Sequence, residues 1–205
     1  MKIFTALLLF ALSLQLYSQN KTEEKAIQNF YSTCRAEKFT AQNYKNSGLH
    51  YFYTKQYSKS IERFNKSLEI DATYCDSWYL IGYSYQQLGD YNKSIEACNE
   101  SIDLSPRNIS AYIIKGYSMF YLNDTIEAIR NFEQAKKIAP DKIDSYYGLA
   151  LVKSYQKNIA SAVSEINQYK SNKRDKASKR DIKALNILEA KLRKESKAYA
   201  DRMAD

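Results

Sequence analysis

The chain has 205 residues, 44% apolar and 14% aromatic, with 19 tyrosines and a net charge of +8. Five glycines, two prolines and no Asn-Gly or Asp-Gly hairpin signal favour an all-α fold over a sheet, and the apolar content is enough for a core. One histidine, His50, and three cysteines without a C-x-x-C speak against a His-based metal centre, a catalytic triad or a thiol redox motif.

The chain opens with Met1-Lys2 and then Ile3 to Leu16, apolar apart from Thr5, Ser13 and Gln15, before a polar stop at Ser18-Gln19-Asn20. One lysine, a short apolar core and a polar boundary predict a secretory signal peptide over 1–18, with the mature chain starting near Gln19. The run falls short of the ~20 apolar residues of a spanning helix. No cysteine follows it, which argues against a lipid anchor, and an uncleaved N-terminal membrane anchor is the alternative. Either way the expectation is an exported protein, periplasmic or secreted.

Residues 19–40 read as a helix. Beyond them the chain repeats itself. Segments starting at Ala41, Cys75 and Ile109 place glycine at Gly48, Gly82 and Gly116, with an aromatic four residues earlier at Tyr44, Trp78 and Tyr112. A small residue followed by isoleucine comes next (Ser60-Ile61, Ser94-Ile95, Ala128-Ile129), then another small residue (Ser67, Ser101, Ala135). Pro106 and Pro140 close the second and third units. A fixed period of this size predicts a solenoid of helix pairs, each too small to bury its apolar face alone. Glycine inside a helix costs roughly 0.5–1 kcal/mol against alanine, so its recurrence predicts close helix crossings there.

This pattern resembles the tetratricopeptide repeat family. Its residues are Trp78, Gly82, Tyr85, Tyr91, Ser94 and Pro106 in the second unit, Tyr44, Gly48, Tyr51, Tyr57, Ser60 and Phe64 in the first, and Tyr112, Gly116, Ala128, Phe132, Ala135 and Pro140 in the third. The units are 41–74, 75–108 and 109–142. A degenerate fourth over 143–172 keeps Tyr146, Ala150, Ala162-Val163 and Ile166 in register. In the same register, Ala26-Ile27 and Phe30 make 19–40 a capping half-repeat. The ending Tyr17-Ser18-Gln19 with a Lys-, Asn- and Tyr-rich body is similar to exported proteins of the Bacteroidota.

The last segment, 173–205, predicts a long basic helix with Ile182, Leu185, Leu188, Leu192, Tyr199 and Met203 on one stripe. From Lys170 to Arg202, twelve lysines and arginines face five acids, which accounts for most of the net charge. Two readings stand: a cap with a solvated face, or a contact for an anionic partner such as a membrane surface through 176–203. Export argues against nucleic acid.

No motif calls for a cofactor, a metal or catalysis: there is no G-x-G-x-x-G and no paired carboxylates stand out. Cys98 takes the place of Phe64 and Phe132 and reads as a small core residue, although a Cys75–Cys98 disulfide is open in an oxidising compartment.

The resemblance implies a non-enzymatic protein-protein interaction module whose first helices line a concave groove. Carried over residue by residue, that groove takes Lys45, Asn46, Phe52 and Tyr53 from the first unit and Asp76, Tyr79, Tyr83 and Gln86 from the second. The third supplies Tyr117 and Tyr121, and the fourth Asp144, Tyr147, Gly148 and Tyr155. Relatives that grip a carboxylate place cations or asparagine where this chain has Leu49, Leu80, Ser110 and Ile114, so only Lys45 fits a carboxylate clamp. The tyrosine ladder instead predicts a peptide or protein segment rich in apolar side chains. The alternative is a structural subunit of a cell-envelope complex that makes its contact through the basic helix.

Overall fold

The structure, a computed structural model, describes residues 38–173 and 178–204, and the side chains of 38–172 and 178–194. The expected leader and almost all of the N-terminal half-repeat lie outside the described residues. Among the described residues all regular structure is helical, and four helix pairs follow one another. They are α1 (Phe39–Tyr53) with α2 (Tyr57–Ile70), α3 (Cys75–Gln87) with α4 (Tyr91–Leu104), α5 (Ile109–Tyr121) with α6 (Thr125–Ile138), and α7 (Ile143–Tyr155) with α8 (Ile159–Lys173). The long α9 (Lys179–Ala204) follows.

Each pair turns on one residue in left-handed backbone conformation: Lys55, Gly89, Asn123 and Lys157, at φ 59, 80, 63 and 61°. These positions recur with the period of the repeat. The second helix then starts on a side-chain cap in three units. Asp90 accepts from the Lys93 N–H at 3.3 Å, Asp124 from Glu127 at 3.0 Å and Asn158 from Ser161 at 3.1 Å. Pro106 and Pro140 fall just past the ends of α4 and α6, where a missing N–H costs little.

The recurrent glycines mark the crossings within each pair. A Cβ on Gly48 would sit 2.5 Å from the Phe64 ring, on Gly82 2.8 Å from Cys98 Sγ and 3.0 Å from the Ser94 carbonyl, and on Gly116 2.9 Å from the Phe132 ring. Cys98 therefore fills the aromatic position of its unit as a small core residue, as its place in the repeat predicts.

Buried serines tie the helices together, both across units and within them. Ser60 and Ser84 share a hydrogen bond at 3.3 Å, and the pair one period on, Ser94 and Ser118, shares one at 2.8 Å. The Ser67 hydroxyl donates to the Ala41 carbonyl at 2.8 Å, and Ser101 repeats this to the Cys75 carbonyl at 2.9 Å. Ala128 and Ala135 end both series in the third unit. There Glu165 of α8 takes over, paired with Lys136 at 2.8 Å and Lys153 at 2.5 Å. Burial opposes ionisation of Glu165, but these two ammonium groups outweigh it and hold the carboxyl below the usual range.

The cysteines correct one open possibility. Cys98 is a free, buried thiol, whereas Cys75 is disulfide-bonded, so a Cys75–Cys98 bridge does not form. Cys98 is instead turned into the crossing with Gly82.

Helix α9 closes the open end of the stack. Leu185, Leu188 and Leu192 are buried against Tyr146, Ala150, Ala162, Ile166 and Tyr169 of the last pair. Tyr169 donates to Asp181 at 3.1 Å, and Glu189 pairs with Lys170 at 2.8 Å. The other faces, with Lys183, Lys191, Arg193 and Lys194, are exposed. Tyr199 and Met203 lie outside the described side chains. Among the described residues no helix is long and apolar enough to cross a membrane.

A tyrosine strip along the first helices

First helices pack on one another across units, α3 on α5 and α5 on α7, while second helices pack mainly on first helices. The first helices therefore make the tighter, inner face of the stack, and their exposed residues line its groove.

At the N-terminal end, Lys45 and Asp76 lie 3.9 Å apart, and the Lys45 ammonium sits 5.7 Å from the centre of the Tyr74 ring. Asp76 is buried, as are Tyr74 and Tyr79. Tyr74 donates to Gln42 at 2.6 Å. Burial, with Asp76 adding, pushes the Tyr79 hydroxyl well above its usual pKa, so it stays neutral. Asn46 is exposed and accepts from Gln42 at 3.0 Å. The one cation that fits a carboxylate clamp thus has an acid beside it, and Leu80, Ser110 and Ile114 at the other clamp positions are buried.

In the middle, Phe52 is buried at 6% exposure and packs on the rings of Tyr53, Tyr57 and Tyr83, with the last centroid 4.8 Å away. Tyr53 and Tyr83 are half-buried. Gln86 bridges two units, its amide donating to the Ile114 carbonyl at 3.0 Å and to Ser118 at 3.2 Å. Phe52, Tyr79 and Gln86 thus form the floor and seams of the face, and the half-buried tyrosines offer the surface.

Toward the C-terminal end, Tyr117 is half-buried and meets Phe132 edge-on at 4.9 Å. Burial first, then Asp144, raises its hydroxyl pKa well above the usual value. Tyr121 is 54% exposed and stacks on Tyr91 at 4.9 Å. Tyr155 is 58% exposed, donates to Asn123 at 3.0 Å and meets Phe120 edge-on. Tyr147 is half-buried. Gly148 turns into the core and adds no surface to the groove. Asp144 is the acid that the register of the repeat places on this face. It is exposed on this face, yet loss of surrounding water raises its carboxyl pKa, with Asp181 adding and Lys142 opposing. It stands 68 residues (two periods) after Asp76.

Among the described residues no group of His, Cys, Asp and Glu is placed to hold a metal ion. A shallow pocket lined by Asn65, Trp78, Tyr85, Lys93 and Glu96 involves a different set of residues from the strip.

Comparison with known proteins agrees with the repeat. Residues 75–108 and 109–142 each match a tetratricopeptide repeat model, and 48–89 matches a TPR repeat model. No curated protein matches the chain. Among solved structures, the first repeat domain of Spaghetti (RPAP3), bound to the HSP90 peptide SRMEEVD, is similar at 21% identity and a TM-score of 0.55. That match covers 57% of this chain and 92% of the other. The second repeat domain of human RPAP3, in complex with the HSP70 peptide SGPTIEEVD, matches at 20% identity and a TM-score of 0.53, covering 55% and 94%. TTC0263, a repeat protein of Thermus thermophilus, matches at 14% identity and a TM-score of 0.61, covering 76% and 89%. These likenesses establish the all-α solenoid.

Proposed function

We propose, for a chain whose residues 48–142 are built of tetratricopeptide repeats, that the tyrosine strip along α1, α3, α5 and α7 holds a segment of another protein. The observation that carries this reading is the row Tyr53, Tyr83, Tyr117, Tyr121, Tyr147 and Tyr155, half-buried or exposed along one face. Such rings give apolar contact at low entropic cost and a polar tip for the partner's backbone. The chain acts by binding, without catalysis. Two repeat domains of the same fold were solved with peptides, which supports a segment as ligand. Those peptides end in Glu-Glu-Val-Asp. This groove has its only clamp cation beside Asp76, so its ligand is not gripped by a terminal carboxylate.

The site of action is outside the cytoplasm. The apolar leader over 1–18 and the disulfide at Cys75 both fit an oxidising, exported setting.

A second reading has its own observation. The exposed Lys183, Lys191 and Lys194 of α9 form a basic surface away from the buried leucines, suited to a contact within a cell-envelope complex or to anionic lipid.

One experiment separates the two. Partner capture from envelope extract is measured for the full chain, for Tyr83→Ala/Tyr117→Ala, for Tyr121→Ala/Tyr155→Ala, and for charge reversal at Lys191, Arg193 and Lys194. The groove reading expects both tyrosine pairs to weaken capture, by roughly 1–2 kcal/mol per residue. Because Tyr83 and Tyr117 also pack on Phe52 and Phe132, the exposed pair is the cleaner arm. Full capture by the exposed pair, with loss on charge reversal, moves the site to α9.

A further inference from the structure

The C-terminal half of the groove carries a sign of charge as well as a shape. Asp76 and Asp144 stand at the same place in units two and four, each the second residue of a first helix. Asp76 is buried with Lys45 3.9 Å away. Asp144 is exposed on the same face, and among the described residues no lysine or arginine pairs with it. Tyr117 and Tyr147 line the face beside it, Asp181 of α9 adds a second negative charge nearby, and Lys142, two residues before it, is the neighbouring cation. An exposed carboxylate beside tyrosine rings gains most from a cation that can also lie on a ring.

The chain shows the same chemistry within itself. Lys136 lies over the Tyr146 ring at 4.9 Å, Lys93 over Tyr85 at 5.4 Å, and Arg63 over Tyr51 at 5.8 Å. Arginine suits such a carboxylate better than lysine, because its planar group stacks on tyrosine while its N–H fork meets the carboxylate.

Resting on the groove reading above, we propose that the groove's ligand is a segment presenting an arginine to Asp144, flanked by apolar side chains that lie on Tyr83, Tyr117 and Tyr121. This is the charge opposite to that of a carboxylate-gripping groove. At the N-terminal end the Lys45–Asp76 pair is already matched, so selectivity for the cation falls on the fourth unit.

The test uses the full chain and a phage-displayed library of random short peptides. Peptides enriched on the wild type carry arginine beside apolar residues, and one of them is then measured by fluorescence anisotropy. Asp144→Asn weakens it about tenfold, while the peptide with Arg→Gln binds both proteins equally weakly. Asp144→Arg loses the arginine peptide and takes up its Arg→Glu version. Enriched peptides without a cation, or an arginine peptide indifferent to Asp144→Asn, overturn the proposal. If those peptides still depend on Tyr121 and Tyr155, the groove reading survives that result. If nothing is enriched, or binding ignores both tyrosines, the groove reading fails with it.

Discussion

Gly148 faces Phe132 so closely that a Cβ at 148 would fall inside the van der Waals shell of the ring. Phe132 thus lies in a slot between Gly116 of its own unit and Gly148 of the next. Gly148→Ala is expected to force the ring aside and cost on the order of 1–3 kcal/mol, the usual penalty for overpacking. Phe132→Leu in the same chain should recover part of that loss, because the two sites are in contact and their effects do not add. Thermal melts of the two single variants and the double measure the coupling. Strict additivity would place the ring elsewhere.

Gly82 makes a parallel case in the second unit, where the neighbour is partly backbone. Gly82→Leu drives a side chain into Cys98 Sγ and the Ser94 carbonyl, and the carbonyl cannot swing away as a side-chain tip would. The expected cost is on the order of 1–3 kcal/mol or more, against almost none for Lys93→Ala on the surface. Equal melting midpoints for the two would mean that α3 and α4 do not cross at Gly82.

The turns give a prediction of the opposite sign. Lys55 and Lys157 hold a left-handed conformation that disfavours side chains by about 1–2 kcal/mol, while Gly89 holds it freely. Nothing lies within 4 Å of a Cβ built on Gly89, so the effect there is conformational. Lys55→Gly and Lys157→Gly should raise the melting midpoint and Gly89→Ala should lower it. A fall on Lys55→Gly would show that the lysine side chain contributes more than its backbone costs.

The glycine crossings and the core role of Cys98 were legible in the sequence because both follow from one residue type at one spacing. Turn positions were legible only at Gly89 and Asn123, since lysine carries no left-handed preference to read. The serine ties stayed hidden: Ser60 and Ser94 count as small residues just as Ala128 does, and only neighbouring backbones reveal their hydrogen bonds. Groove residues were found by register, but how far each is exposed depends on the next unit. Tyr79 and Tyr121 are both ladder tyrosines, yet one is buried and the other stacks outward on Tyr91. Cysteine pairing needs a specific separation and direction of two side chains, which spacing alone does not supply.

Acid should expose the role of Glu165. Its carboxyl pKa is lower in the folded chain than in the unfolded one, so the stabilisation is fully present above the unfolded value, about 4.3, and is lost as pH falls through the folded one. Glu165→Gln leaves Lys136 and Lys153 without their shared acid and should cost on the order of 1–3 kcal/mol near neutrality. Melts of both proteins across the acid range should converge below the folded pKa. A gap that stays constant with pH would mean that the pair is not what Glu165 contributes.

The thiol at Cys98 offers a direct measure of the packing at the second crossing. Burial pushes its pKa up to about 12, with Lys115 and a Ser94 hydrogen bond opposing, so the nucleophilic thiolate is scarce at neutral pH. The side chain is also fully buried against Gly82. Alkylation by iodoacetamide should therefore spare Cys98 in the native chain and proceed once denaturant opens the stack; reductant should then be needed to release Cys75 as well. Peptide mass mapping locates each modification. The denaturant dependence of Cys98 labelling should follow the global unfolding curve, because α3 and α4 pack on neighbours on both sides and cannot part alone. Labelling of Cys98 well before the global transition would show that the second unit opens by itself, and with it the middle of the tyrosine strip.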